Sequence, residues 1–273
     1  MKFSISQISR LTGLSPSGIR FYERTGVISP LRSPHGKYRD FSMQELQLLL
    51  NCKQYRDCGF SMKESLELLN NSTVQDVKEQ LTLQCEKLEQ MVTEKQLLLE
   101  LLKRKTREID CLYQEQPCIE LSTLPAVFRF KLWQPGAQEG SFTPYNEVLR
   151  WLELAPLTVS SLLIPQESFL HGTGNLQADW GLSIEASYLE RLKRSTGAFS
   201  VHHPQAMCVH TFVKVNVDMS IPAAELEPAR KFIEEHHLQV NGPIITGLFY
   251  LTNYAEKLTR IDQLRIPVIP ALS

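Results

Sequence analysis

At 273 residues the chain is longer than a typical domain, so two compact units and a connector are expected, and its 42% hydrophobic content suits folded cores. The first eleven residues mix Lys2, Ser4, Gln7 and Arg10 with apolar ones ahead of no small-residue cleavage site, which argues against export. The longest run without Asp, Glu, Lys or Arg, 236–255, contains Asn241, Gly242, Pro243 and Asn253, which argues against a membrane span of ~20 residues. The net charge of −1 hides an asymmetry. Residues 1–42 carry seven basic side chains (Lys2, Arg10, Arg20, Arg24, Arg32, Lys37, Arg39) against Glu23 and Asp40, so this segment is +5 and the remainder −6. A basic head on an acidic body suits a protein that presents one end to phosphates. Cysteines at 52, 58, 85, 111, 118 and 208 in a chain expected to be cytoplasmic are expected to stay reduced.

In chain order, Ser4 with Gln7 has capping-box spacing, and Ile5, Ile8 and Leu11 follow at helical intervals up to Thr12-Gly13. Ser15-Pro16 opens a second short helix over Ser17–Arg24, which makes a helix-turn-helix. Beyond Gly26, the stretch Ile28–Phe41, with Pro30, Pro34 and Gly36, reads as a hairpin edged by Arg32, His35, Lys37 and Arg39. Ser42 caps a longer helix to Cys58 with Leu46, Leu49, Leu50 and Tyr55 on its apolar side. Gly59 stops it, and Ser61 with Glu64 starts another that ends near Asn70.

From Val74 to Leu112 there is neither Pro nor Gly. Positions 74, 77, 81, 84, 88, 91, 95, 98, 102, 105, 109 and 112 step by three and four, and all are apolar except Gln84, Lys95 and Lys105. This predicts one long helix with a narrow coiled-coil seam that needs a partner helix, expected from a second subunit. After Pro117 the pattern is α+β with an approximate duplication. Strand Val127–Leu132, a helix with Tyr145, Val148, Leu149 and Leu152 on one face, and strands near 160–164 and 180–185 form one half. Strand 207–215, helix 223–236 and strands 244–251 and 261–268 form the other, with a shallow cleft expected between them.

The head resembles the MerR family of regulators. Residues 5–26 (ISQISRLTGLSPSGIRFYERTG), with Arg20-Phe21-Tyr22-Glu23 ending the recognition helix, the wing sequence Tyr38-Arg39-Asp40-Phe41 and the Gly59-Phe60-Ser61 join all carry the resemblance. Gly36 stands one position earlier than the commonest form. The resemblance implies contact with double-stranded promoter DNA through Ser15, Ser17, Gly18, Arg20 and Tyr22 of the second helix and Arg32, Lys37, Tyr38 and Arg39 of the wing. Tyr38 and Phe41 serve either that contact or packing of the wing. It further implies a homodimer on a palindromic operator, paired through an antiparallel coiled coil that sets the heads ~34 Å apart. The effector-bound form would distort an over-long promoter spacer so that RNA polymerase reads it, activating transcription.

Residues 120–270 resemble, through the duplicated order and the ending Ile266-Pro267-Val268, the GyrI-like effector domain of the multidrug-sensing, BmrR-like branch of that family. The fold class expected is therefore multidomain α+β: a winged helix-turn-helix over 1–72, a dimerisation helix over 73–116 and an effector domain over 117–273. A small aromatic or amphipathic effector is expected at Phe130, Tyr145, Trp151, Trp180, Glu185, Tyr188, Phe249, Gln263 and Arg265. In the relatives a glutamate stands four residues before the Pro of the last strand; here Gln263 does. It shares a strand face with Arg265 while Asp262 points away, so a neutral or anionic effector is expected unless Glu185 or Glu147 reaches the cleft. Two other functions stay open: a metal or redox sensor using Cys111 and Cys118, and a C-terminal domain that turns over small molecules. No nucleophile elbow, phosphate loop or metalloprotease motif is present, so neither an enzyme nor a cofactor is expected.

Overall fold

A computed structural model describes residues 2–32, 38–113, 118–134 and 145–271, without the side chains of Arg32, Cys111, Tyr113 and Lys257. The chain forms two compact units, Met1–Met91 and Val92–Ser273, whose division falls inside the long helix rather than at either end of it.

In the first unit, strand β1 (Lys2–Phe3) leads into α1 (Ile5–Thr12), whose start is closed by the reciprocal Ser4–Gln7 capping box. Gly13, at φ +70°, ends it in a conformation that costs glycine nothing. Ser15 caps α2 (Pro16–Arg24), and β2 (Leu31–Arg32) and β3 (Arg39–Ser42) complete a sheet of order β1-β3-β2. Two further capping boxes, Ser42–Glu45 and Ser61–Glu64, start α3 (Met43–Asp57) and α4 (Met62–Asn70). Ile8, Ile19, Tyr22, Phe41, Leu46 and Leu49 form the core of these elements.

Helix α5 (Val74–Ile109) begins at a Thr73–Asp76 capping box. Its polar seam residue Gln84 donates a 2.9 Å hydrogen bond to the Cys58 carbonyl, packed so closely over Gly59 (φ +96°) that a Cβ there would lie 2.7 Å from the amide. Val74, Leu81, Leu88, Met91 and Leu102 of the seam remain exposed, while Leu97 and Leu101, off the seam, are buried against the second unit's own core.

The second unit contains β4 (Glu120–Leu124), β5 (Val127–Trp133), α6 (Tyr145–Leu152), β6 (Val159–Ile164), α7 (Gln166–His171), β7 (Asn175–Leu176), β8 (Asp179–Glu185), α8 (Ala186–Leu192) and β9 (Ser200–His203). It continues with β10 (Ala206–Val215), β11 (Ile221–Pro222), α9 (Ala223–Glu235), β12 (Leu238–Val240), β13 (Ile244–Tyr254) and β14 (Lys257–Pro270). The main sheet has order β4-β10-β14-β13-β6-β8-β5-β9, with β12 added on β14. The expected duplication is visible in that order, since β10-β14-β13 mirrors β6-β8-β5 across the β13/β6 junction. α7 and α9 bury Phe169, Leu226 and Ile233 on one half, and α6 and α8 bury Trp151, Tyr188 and Leu189 on the other.

The junction is what opens a cleft. β13 and β6 pair only at Ile244–Ile164 and Ile245–Leu163, after which β13 stays with β14 and β6 with β8. Where the ladder stops, the Thr246 hydroxyl takes over: it accepts from the Leu162 amide at 3.1 Å and donates to Asp262 at 2.6 Å. Fully buried Asp262 is held in turn by Arg260 through a two-pronged contact at 2.7 and 2.8 Å. This network anchors the seam between the two repeats.

Candidate functional site

Two sites emerge, one in each unit. On the head, Ser15 Oγ accepts from the Gly18 amide at 3.0 Å and lies 2.9 Å from Ser17 Oγ, so the three residues form one compact, accessible start to α2. Gly18 has little room for a side chain, since a Cβ would sit 3.3 Å from Ser15 Oγ. Arg20 is exposed on the same helix. Tyr22 is not: its ring belongs to the core, because the i, i+3 spacing from Ile19 places both on the buried face of α2. Phe21 is the exposed aromatic there, a residue that motif reasoning passed over. Arg39 Nε is paired with Glu23 at 2.8 Å, which ties wing strand β3 to α2, and Lys2 is paired with Asp40 at 3.1 Å. Both acids of the basic segment are thereby engaged, and Arg10, Arg20 and Arg24 are exposed. Tyr38 is 76% exposed and so does not pack the wing, whereas Phe41 is fully buried and does. Lys37 and the Arg32 side chain lie outside the described residues.

In the second unit the structure brings Glu185, Tyr188, Phe249, Gln263 and Arg265 together in one cleft where the two halves of the sheet diverge, floored by Val159, Ser183 and Gly247. The cleft is nearly filled, with about 60 Å³ of room against the ~300–1,000 Å³ of ordinary small-molecule sites. The C-terminal turns of α5 fill it. Arg104 pairs with Glu185 at 2.7 Å and donates to the Tyr188 hydroxyl at 3.1 Å. Lys105 reaches the Phe249 carbonyl at 3.4 Å and lies 5.7 Å from the centre of that ring. Glu108 accepts from Gln263 at 2.6 Å, and Gln263 accepts in turn from Arg265 at 3.2 Å. Burial works against the Arg104 charge, but Glu185, Tyr188 and Glu108 outweigh it and hold the guanidinium above its ordinary range, whereas burial draws Lys105 down. Burial and then Glu185 push the Tyr188 phenol up.

Four residues expected at this site lie elsewhere. Phe130 and Trp151 are fully buried and stack on each other at 5.5 Å as the centre of the core under α6. Trp180 packs on the neighbouring core and donates to Ser160 Oγ at 2.9 Å. Tyr145 is 72% exposed, because α6 turns Val148 and Trp151 inward rather than Tyr145, Leu149 and Leu152. The strand alternation holds: Gln263 and Arg265 face the cleft and Asp262 the opposite core. Glu185 does reach the cleft, so the site has a carboxylate on its own wall, and the expectation of a neutral or anionic effector loses its premise. Glu147 instead pairs with Arg150 at 3.2 Å. Sequence reasoning missed Arg104, Lys105 and Glu108; the one signal was Lys105, a charge in an otherwise apolar seam.

Among the described residues no group of three or more His, Cys, Asp or Glu could hold a metal ion, and the Cys111 side chain lies outside them. Cys208 is buried, and that burial pushes its thiol up to about 11, which makes it a poor nucleophile or ligand. Among the described residues no helix is long and apolar enough to cross a membrane.

Residues 3–72 match the family model described as MerR HTH family regulatory protein. The HTH-type transcriptional regulator CueR of Escherichia coli O6:H1 is 43% identical over 68 residues, 24% of this chain and 50% of the relative. An uncharacterized HTH-type transcriptional regulator of Synechocystis is 33% identical over 98 residues, 36% of this chain and 66% of the relative. The match to CueR thus spans about half that relative's length. Among solved structures, the EcmrR–DNA complex covers 98% of this chain and 100% of that one at 13% identity and a TM-score of 0.35.

Proposed function

We propose that the chain, whose residues 3–72 match the MerR HTH family model, is a ligand-responsive transcription regulator that binds promoter DNA as a homodimer. The observation that carries this is the face of α2. Ser15, Ser17, Gly18 and Arg20 are accessible together at its start, and both acids of the surrounding basic segment are engaged by Lys2 and Arg39. A helix start that offers amides and a cation without a competing carboxylate is suited to phosphate and base-edge contact. Exposure of Val74, Leu81, Leu88 and Met91 supports the dimer, since a coiled-coil stripe left bare in one chain is buried by the same stripe of a second. The C-terminal cleft supports a GyrI-like sensing role: Glu185, Tyr188, Phe249, Gln263 and Arg265 converge between two repeats, the arrangement expected of an effector domain. Family resemblance supplies the rest of the reading, namely activation by distortion of a palindromic promoter read by RNA polymerase, with effector affinity differing between the two DNA-bound shapes.

The test uses DNA that the protein selects from a random-sequence pool, with band-shift affinities measured over a series of salt concentrations. Arg20→Ala is expected to weaken binding and to reduce the log–log salt slope by about one, the signature of one lost phosphate contact. Unchanged affinity and slope would remove α2 from the interface and the reading with it.

A further inference from the structure

Side chains of the α5 tail occupy the C-terminal cleft. Arg104 sits on a carboxylate and a phenol at one end (Glu185 at 2.7 Å, Tyr188 at 3.1 Å), and Glu108 sits on an amide at the other (Gln263 at 2.6 Å), with Arg265 behind that amide. The two charges are four residues apart on one helix, about 6 Å along its axis. Phe249 lines the same cleft, and Lys105 lies against its ring. A site shaped around a guanidinium and a carboxylate one helical turn apart states the chemistry that it accepts.

We propose that the α5 tail is a built-in competitor for the cleft, and that the effector is a flat zwitterion whose cationic end replaces Arg104 at Glu185–Tyr188 and whose anionic end replaces Glu108 at Gln263–Arg265. This rests on reading the cleft as an effector site. It differs from a site for simple lipophilic cations, because Glu185 answers only one end of the cleft, and from a site for simple anions, because Gln263 and Arg265 answer only the other. Each tail charge and the effector end that replaces it exclude each other, since about 60 Å³ of room admits no ring while both side chains are in place. An effector therefore acts by displacing Arg104 and Glu108 from the cleft, and each of them weakens only the probe whose charge takes its place.

The experiment is calorimetric titration of the full-length protein with 4-guanidinobenzoate, phenylguanidine, benzoate and neutral benzamide. 4-Guanidinobenzoate is expected to bind at least tenfold more tightly than either singly charged probe, since each end adds a charge-assisted contact. Arg104→Ala is expected to raise affinity for phenylguanidine about tenfold and to leave benzoate unchanged, and Glu108→Gln to do the reverse, because each removes the competitor at one end only. This crossed pattern cannot arise from general loosening of the fold, which would move both probes together. If probes bind but both variants leave every affinity unchanged or lower it, the tail is not a competitor and the inference fails while the effector reading stands. Preference for benzamide, or for one singly charged probe over the zwitterion, overturns the zwitterionic class in the same way. Absence of binding by all four probes to the wild type and to both variants overturns the inference and counts against the effector reading as well.

Discussion

Every described helix that starts in residues 2–91 is fixed by a side chain within three residues of its start: Ser4 for α1, Ser15 for α2, Ser42 for α3, Ser61 for α4 and Thr73 for α5. In the C-terminal unit α7, α8 and α9 begin at Pro165, Glu185 and Pro222, none of which makes a side-chain capping bond. There the structure is set by strand pairing over long separations, as where β10 meets β14 across Val209–Ile266 or β4 meets β10 across Glu120–His210. The contrast matches the two sites. The head must present one short helix in a fixed pose, which a local code can do. The cleft must lie between two repeats, which only contacts distant in sequence can place.

The largest effect is expected where the long-range logic is broken. Asp262→Ala strips the counter-charge from buried Arg260 and the acceptor from Thr246, so it should destabilise the C-terminal unit by about 3–5 kcal/mol, the usual cost of orphaning a buried charge. All three tryptophans, Trp133, Trp151 and Trp180, lie in that unit, so their fluorescence during urea unfolding follows it alone. A loss below 1 kcal/mol would mean that the junction is held by the β13/β6 pairing rather than by the Thr246–Asp262–Arg260 network. Breaking the local logic should cost less. Ser15→Ala removes the acceptor of the Gly18 amide and is expected to cost about 1 kcal/mol, read as faster hydrogen exchange of the α2 amides with the tryptophan transition unmoved. A shift of that transition would show that the two units do not unfold independently.

How much could be read from residues alone follows the same division. Ser4 with Gln7, Ser15-Pro16, Ser42, and Ser61 with Glu64 mark helix starts because the partners are adjacent in sequence, and α1 to α4 lie where those signals put them. The strands of both repeats were legible from alternation, but β4 was not: four of its five residues are exposed, so it carries no alternating pattern. The cleft was partly legible. Alternation alone sets Gln263 and Arg265 on one face and Asp262 on the other, yet residue type could not separate Phe249, which lines the cleft, from Phe130 and Trp151, which fill a core. Tyr22 was misplaced for a related reason, since a motif names a residue but only packing decides which way it faces. The α5 tail was illegible because a heptad pattern describes a partner helix, whereas Arg104, Lys105 and Glu108 meet strand residues Glu185, Phe249 and Gln263, about 80 to 155 positions away.

The smallest effect separates the units by pH. Burial, followed by Arg265, holds His210 below its ordinary value of 6.5, with the Glu120 contact at 3.4 Å opposing, and burial followed by Arg129 does the same to His203. Both imidazoles thus protonate less readily in the folded unit than in the unfolded chain, which takes up protons as pH falls through 6.5. Protons then bind preferentially to the unfolded state, so stability is lost on acidification from about 6.5 downward and is independent of these groups above it. Glu64, Asp76, Glu100 and Asp218 are held below ordinary values of 4.5 and 3.8 by hydrogen bonds from Ser61, Thr73, Arg191 and Ser220, so their contribution is lost only at lower pH. The described part of the head contains no histidine. Between pH 6.5 and 5 the tryptophan-reported transition should therefore move to lower urea while exchange of the α2 amides, corrected for the intrinsic pH dependence, holds steady. The double variant His203→Gln, His210→Gln should flatten the first response. A C-terminal unit that gains stability over the same range would show that the Glu120–His210 contact outweighs burial, and that the strand pairing of β4 with β10 is reinforced by charge rather than by the sheet alone.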